Sequence, residues 1–509
     1  MPETTQSNTT CGADVPEEFA KLRPTIQENR ALLDELFRDV DVMRHREFQN
    51  AKNQTLRFCI YFSDGVSDSM LIGEQIIKPL ILADHLQMGI DIYQAVRDHV
   101  ELVGEMSESQ DVQEIVEAIT YGDTLLLVEG SDKALIINSK GFMLRGISEP
   151  EVEHVLSGPR EGFIEGIMGN LSMVRRRLRT HQLKLKFSPL GRQSKTAVCI
   201  AYMDNIVNKN ILQELERRLG EIDIDAVLDG EYINEYIAER SLLGFHTVGS
   251  TERPDVVAGR LLEGRIAIFT DGSPVVLTVP YLFVENFHSS EDYYMGNLYA
   301  SYSRLLRIAS FFFTISIPAA FVAVVGYHHE MLPASLMQVF TVARQNVPLP
   351  AALECFLILV LFDILRETGV RTPGYVGQAL AVVGGIVVGQ AAVEAHLIAG
   401  PMVVVVAFAG ITILIVPRLT LAGLLARYSA LIAASLFGLP GLVLTLSVFL
   451  IHVLNLQSFG VPVILPIGKL DAQEVKDTFI RTPWPKMLRR ISPLSYNTLR
   501  EKSGKGGRK

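Results

Sequence analysis

The chain has 509 residues, 48% of them hydrophobic and 20% charged, with a formal charge of −9. That length exceeds one ordinary domain, the apolar content excludes a disordered chain, and the acidic balance excludes nucleic acid as the main partner. Cys11, Cys59, Cys199 and Cys355 lie too far apart for a CxxC metal or redox motif or a disulfide framework, which fits a reducing compartment.

Residues 1–55 read as a polar, partly disordered N-terminal segment with no apolar leader core. From 56 the pattern becomes that of a folded unit, and it occurs twice. Arg57-Phe-Cys-Ile-Tyr-Phe-Ser-Asp64 is an apolar run closed by a turn, and Ala197-Val-Cys-Ile-Ala-Tyr-Met-Asp204 repeats it 140 residues later. Each run precedes a stretch with helical spacing. Each half then ends in a hairpin, one around Glu129-Gly130-Ser and one around Asp271-Gly272-Ser. The expectation is two tandem, related α/β subdomains, 56–145 and 183–304, followed by an all-α multi-pass transmembrane domain.

The connector 146–182 is charged. It holds Glu149, Arg160, Glu161, Glu165, Asn170, Arg175 and Arg177. An arginine cluster on a helical stretch either binds phosphate or anionic headgroups or pairs with nearby carboxylates; Glu149, Glu153, Glu161 and Glu165 favour pairing.

The apolar excess concentrates in 305–466. No Asp, Glu, Lys or Arg occurs in Ile308–Tyr327, Val376–Val393, Leu397–Pro417 or Tyr428–Gly468. Spans are expected near 308–327, 376–395, 399–417 and 428–456, with a re-entrant helix at 349–365. The last uncharged run has 41 residues, about 60 Å as one helix, so a break is expected near Gly438-Leu-Pro-Gly441. Arg304 and Arg307 before the first span, and a 467–509 tail with net charge +7, place both ends on the cytoplasmic side.

No Walker loop, GxGxxG, HExxH or GxSxG is present, and neither a cofactor, a metal site nor an enzymatic activity is expected. The polar groups of the apolar region are more informative. Gln378 and Gln390 lie 12 residues apart, Gln390 and Glu394 are i,i+4 neighbours, and Gly385 and Gly389 form a small-xxx-small step. These groups, with Asp363 and Glu354 as weaker candidates, either line a wet path that attracts cations or glue helices together.

Several blocks, taken in order, resemble the GerA family, the A subunits of spore germination receptors. They are Glu149-Pro with Gly158-Pro-Arg-Glu-Gly-Phe163, Asp271-Gly-Ser-Pro with Thr278-Val-Pro-Tyr-Leu-Phe283, Glu291-Asp-Tyr-Tyr294, Leu365-Arg-Glu-Thr-Gly-Val-Arg371, and Gly389-Gln-Ala-Ala-Val-Glu-Ala395. The resemblance implies a protein of the spore inner membrane that acts with a transporter-like B subunit and a lipoprotein C subunit. It implies a ring-shaped homo-oligomer in the lipid bilayer that releases monovalent cations when nutrients trigger germination. A paralogue in the family works beside other spore membrane proteins instead.

Overall fold

The computed structural model describes residues 20–83, 106–141, 149–150, 153, 155, 157–371, 385, 387–467 and 477–500. The chain forms two compact units. One comprises Met1–Ala238, Val248–Pro280 and Leu488–Lys509; the other comprises Glu239–Thr247 and Tyr281–Met487.

In the first unit, β1 (Met43–Gln49), β2 (Arg57–Ser63), β3 (Met106–Ser109), β4 (Thr124–Val128) and β5 (Ala134–Ile137) build a sheet of order β1-β2-β4-β5-β3. A second sheet, made of β6 (Leu183–Leu190), β7 (Thr196–Met203), β8 (Gly249–Thr251), β9 (Ile266–Thr270) and β10 (Val276–Val279), has the same order, β6-β7-β9-β10-β8. Every pairing is antiparallel. The local chemistry repeats as well. Asp68 caps a helix start by accepting from Met70 N at 2.9 Å, and Asn208 does the same for Asn210 N at 3.1 Å. Gly130 and Gly272 turn the two hairpins at φ +87° and +85°, a region open to glycine and costly for other residues.

The two sheets share one core. Cys59, Leu125 and Leu127 of the first and Cys199, Ala201 and Phe269 of the second belong to a single buried cluster. Leu171 and Val174 of the connector helix join it. The cysteines are packing residues, and burial pushes the Cys59 thiol up to about 12.

The polar N-terminal segment is described from residue 20 onward. Its described part carries α1 (Ile26–Leu36), which buries Leu32, Leu33 and Leu36, and all of β1. β1 shows no apolar alternation because it is an edge strand, Met-Arg-His-Arg-Glu-Phe-Gln, mostly open to solvent. Within 477–500 of the basic tail, Thr478, Met487 and Leu494 are buried.

The second unit is helical: α7 (Asn297–Tyr327), α8 (Ala334–Arg344), α9 (Ala351–Arg371), α10 (Gly400–Leu414), α11 (Thr420–Phe437) and α12 (Leu439–Asn455). Here α2 to α6 denote the first unit's Val112–Tyr121, Ile167–Arg177, Lys209–Gly220, Gly230–Ile237 and Pro254–Leu262. By length and composition, α7 and the stretch Pro417–Phe437 are able to cross a membrane; α10 and α12 are apolar but shorter. Of the 349–365 region, residues 351–365 lie in α9, one unbroken helix of 21 residues. The 428–456 run is divided between α11 and α12 at Gly438, whose φ is +65°. Residues 376–384 lie outside the described residues, and 387–394 are helical.

Small residues set the close packing. Ala422, Ala426, Ala430 and Ala434 form one buried edge of α11, in a cluster with Phe311, Ile315, Ala319 and Ala323 of α7. Gly410 of α10 faces the ring of Phe362 on α9 so closely that an added Cβ would collide with it. At Gly385 and Gly389 an added Cβ would meet Leu365 and Val403 at an ordinary 3.8 and 3.9 Å. Gly410 therefore marks a closer helix approach within one chain than Gly385 or Gly389 does.

Gly410→Val is expected to destabilise the helical unit by about 1–3 kcal/mol through overpacking, while Gly389→Ala changes it by less than about 0.5 kcal/mol. Thermal unfolding of the detergent-solubilised chain checks both.

Candidate functional site

The apolar helices of the second unit carry few charges, and the structure separates those turned inward from those turned outward. Asp363 of α9 points inward. Its Oδ2 accepts from Arg427 Nη2 at 2.7 Å and from the Tyr428 hydroxyl at 2.6 Å, both on α11. Arg427 is completely buried. Glu354, also on α9 and completely buried, accepts from Ala399 N at 2.6 Å and lies 3.5 Å from Arg344. It thereby caps the start of α10, where a carboxylate meets otherwise unpaired N–H groups.

Gln390 and Glu394 behave differently. Both are exposed, and Gln390 Nε2 donates to Glu394 Oε1 at 2.9 Å. Gln378 lies outside the described residues. The structure thus joins Gln390 to Glu394 and places Asp363 and Glu354 elsewhere, each with its own cationic partner. Sequence reasoning missed Arg427, Tyr428 and Arg344 as those partners. The signal was present: a lone arginine in the helix Thr420–Phe437 requires a counter-charge.

A second network closes the N-terminal end of α7. Buried Arg304 donates through Nε to Asp292 at 2.8 Å and through Nη1 to Asp477 at 2.7 Å. Arg307 adds 3.0 Å bonds to both Asp292 oxygens. The two arginines expected to flank the first span are both engaged in ion pairs inside the unit. Burial pushes Asp292 upward, but the hydrogen bonds from Arg307 and Arg304 outweigh it and hold the carboxyl below its ordinary range. Beside it, burial and then the Arg304 charge push His288 down to about 4, and its Nε2 meets Thr478 O at 2.9 Å.

In the first unit the connector's charges pair locally. Glu161 accepts from Arg176 and from Arg177, each at 2.5 Å. Burial alone would raise its carboxyl, yet these two hydrogen bonds leave it lowered. Arg175 is fully buried, donates to Thr180 O at 3.2 Å, and is pushed down to about 10 by burial. Asn170 clamps the preceding loop through both ends of its amide, to Ile164 N at 2.8 Å and Ile164 O at 2.5 Å. Arg160 pairs with Glu149 at 3.2 Å on the surface, and Glu165 is exposed, its backbone carbonyl accepting from Gly272 N at 2.9 Å. Among the described residues, no group of three or more His, Cys, Asp or Glu side chains is arranged to hold a metal ion.

The sequence profile of a family described as Bacillus/Clostridium GerA spore germination protein matches residues 31–492. The chain is 37% identical to the uncharacterized membrane protein YfkQ of Bacillus subtilis, over 91% of this chain and 89% of that one. It is 37% identical to spore germination protein KA of Bacillus subtilis, over 86% and 81% of the two chains. To spore germination protein GerLA of Bacillus cereus it is 33% identical, over 84% and 87%. The crystal structure of the N-terminal domain of the A subunit of the Bacillus megaterium spore germinant receptor GerK3 is also similar. That match has a TM-score of 0.41 at 30% identity and covers 52% of this chain and 98% of the other.

Asp363→Asn leaves Arg427 buried without its counter-charge and is expected to cost about 3–5 kcal/mol, whereas Asp363→Leu with Arg427→Met recovers most of that loss; thermal unfolding in detergent measures both. Glu161 has a lowered folded pKa. Its contribution is therefore complete above the ordinary carboxylate value and disappears as pH falls through the folded one. Glu161→Gln should accordingly flatten the acid limb of the stability curve, read by hydrogen exchange at Arg176 and Arg177.

Proposed function

We propose, from the premise that this chain belongs to the GerA family of spore germination proteins, that it is the membrane-embedded A subunit of a germinant receptor. In this reading the helical unit crosses the spore inner membrane several times, and the first unit and the tail face the core side. Copies of the chain assemble into a ring that conducts monovalent cations at the start of germination. A transporter-like B subunit and a lipoprotein C subunit are its partners, and the nutrient signal arrives through them.

The observation that carries the reading is the Gln390–Glu394 pair. An amide and a carboxylate, hydrogen-bonded at 2.9 Å and exposed, project from a predominantly apolar helical unit. A carboxylate in contact with lipid tails is expensive; facing a hydrated path it is stabilised and selects cations. Opening requires the signal to favour the open state by a few kcal/mol.

A second reading draws on a different observation. Asp363 and Glu354 each find partners within the single chain, as a non-conducting scaffold would require. It predicts no flux through the chain under any stimulus.

Glu394→Ala and Gln390→Ala are expected to lower potassium flux through reconstituted receptor by about threefold or more and to weaken cation selectivity. Unchanged conductance and selectivity in both variants would remove the pair from the conducting path.

A further inference from the structure

The first three turns of α7 have their polarity reversed. Leu298, Tyr299, Tyr302, Leu305 and Leu306 point outward, with Leu298 82% and Tyr302 64% exposed. On the opposite side, Arg304 is 0% exposed and held by Asp292 and Asp477. A helix end in water carries its charges outside and its leucines inside. Here the only charged residues between Leu298 and Tyr327, Arg304 and Arg307, are both turned inward into ion pairs.

The reversed face continues into the apolar run at Phe312 and Phe313, which are also exposed. Aromatic residues mark both of its ends. Tyr327, half exposed, closes α7, and it lies 28 residues after Tyr299. At 1.5 Å per residue that is about 42 Å, the thickness of a bilayer including its headgroup layers. Trp484 stands beside the first end, its ring 5.7 Å from that of Tyr293. Arg481 fastens that segment to α7 by donating its backbone N–H to Ser301 Oγ at 3.1 Å. Tyrosine and tryptophan prefer this depth because the ring is apolar and its tip is polar.

We propose that this face of α7, with Trp484 beside it, is a lipid-contact surface seated in the phospholipid headgroup layer. The bilayer boundary then lies near Tyr299, more than two turns before the uncharged run begins at Ile308. The inference rests on the membrane reading above and adds which residues meet the lipid and at what depth.

Trp484 is the chain's single tryptophan, so the unaltered full chain reports on its own position. It is reconstituted in phosphatidylcholine–phosphatidylglycerol vesicles whose acyl chains are brominated either near the carboxyl end or near the methyl end. The expected result is quenching about twofold stronger with the shallow label than with the deep one. Tyr302→Trp in a Trp484→Phe background should behave in the same way. Quenching by aqueous iodide but by neither bromolipid, in protein that still floats with the vesicles after an alkaline carbonate wash, overturns the inference and leaves the membrane reading standing. Tyr302→Cys that forms disulfides between copies without any bromolipid quenching overturns it in favour of a chain–chain interface. Protein that fails to float overturns the membrane reading and this inference with it.

Discussion

A guanidinium carried into an apolar helix bundle must meet a carboxylate before the helix is buried, because an unpaired charge there costs several kcal/mol. The second unit satisfies this constraint three times. Arg427 meets Asp363, Arg344 lies beside Glu354, and Arg304 with Arg307 meets Asp292 and Asp477. Each pairing ties separate segments together: α9 to α11, α8 to the neighbouring α9, and α7 to residues just before it and after the last helix. Such pairs add little net stability compared with apolar replacements, but they make wrong registers expensive. That is a reason for a bundle held otherwise by apolar contacts to keep them.

The same rule sorts the candidate residues. Asp363 and Glu354 are occupied in holding the chain's own helices, so their charges are not displayed. Gln390 and Glu394 satisfy each other only in part and face outward, leaving acceptor capacity for water or a cation. The conducting reading therefore relies on the outward pair and the scaffold reading on the inward ones, and both follow from the same geometry.

What the residues disclosed depended on how local the determining physics is. The repeated hairpins were legible because Glu-Gly-Ser and Asp-Gly-Ser carry the positive φ within three residues. The break at Gly438 was legible because Gly-Leu-Pro-Gly ends a helix without outside help. β1 was not, since an exposed edge strand shows no apolar alternation. The partners of Asp363 and Arg304 were not legible either. Arg427 and Asp477 lie 64 and 173 residues away, and no spacing rule connects side chains at that distance. Arg304 and Arg307 looked like ordinary flanking charges, and only the fold reveals that they turn inward.

The central claim is that copies of the chain enclose a hydrated route walled in part by Gln390 and Glu394. The most direct measurement is a density map of the receptor assembled in lipid nanodiscs, with its stoichiometry and central axis resolved. The account predicts a closed ring with a continuous water-filled channel and the Gln390 and Glu394 side chains on its wall. A resolved assembly in which those two side chains sit in dry contacts, with no opening along any axis, would contradict it.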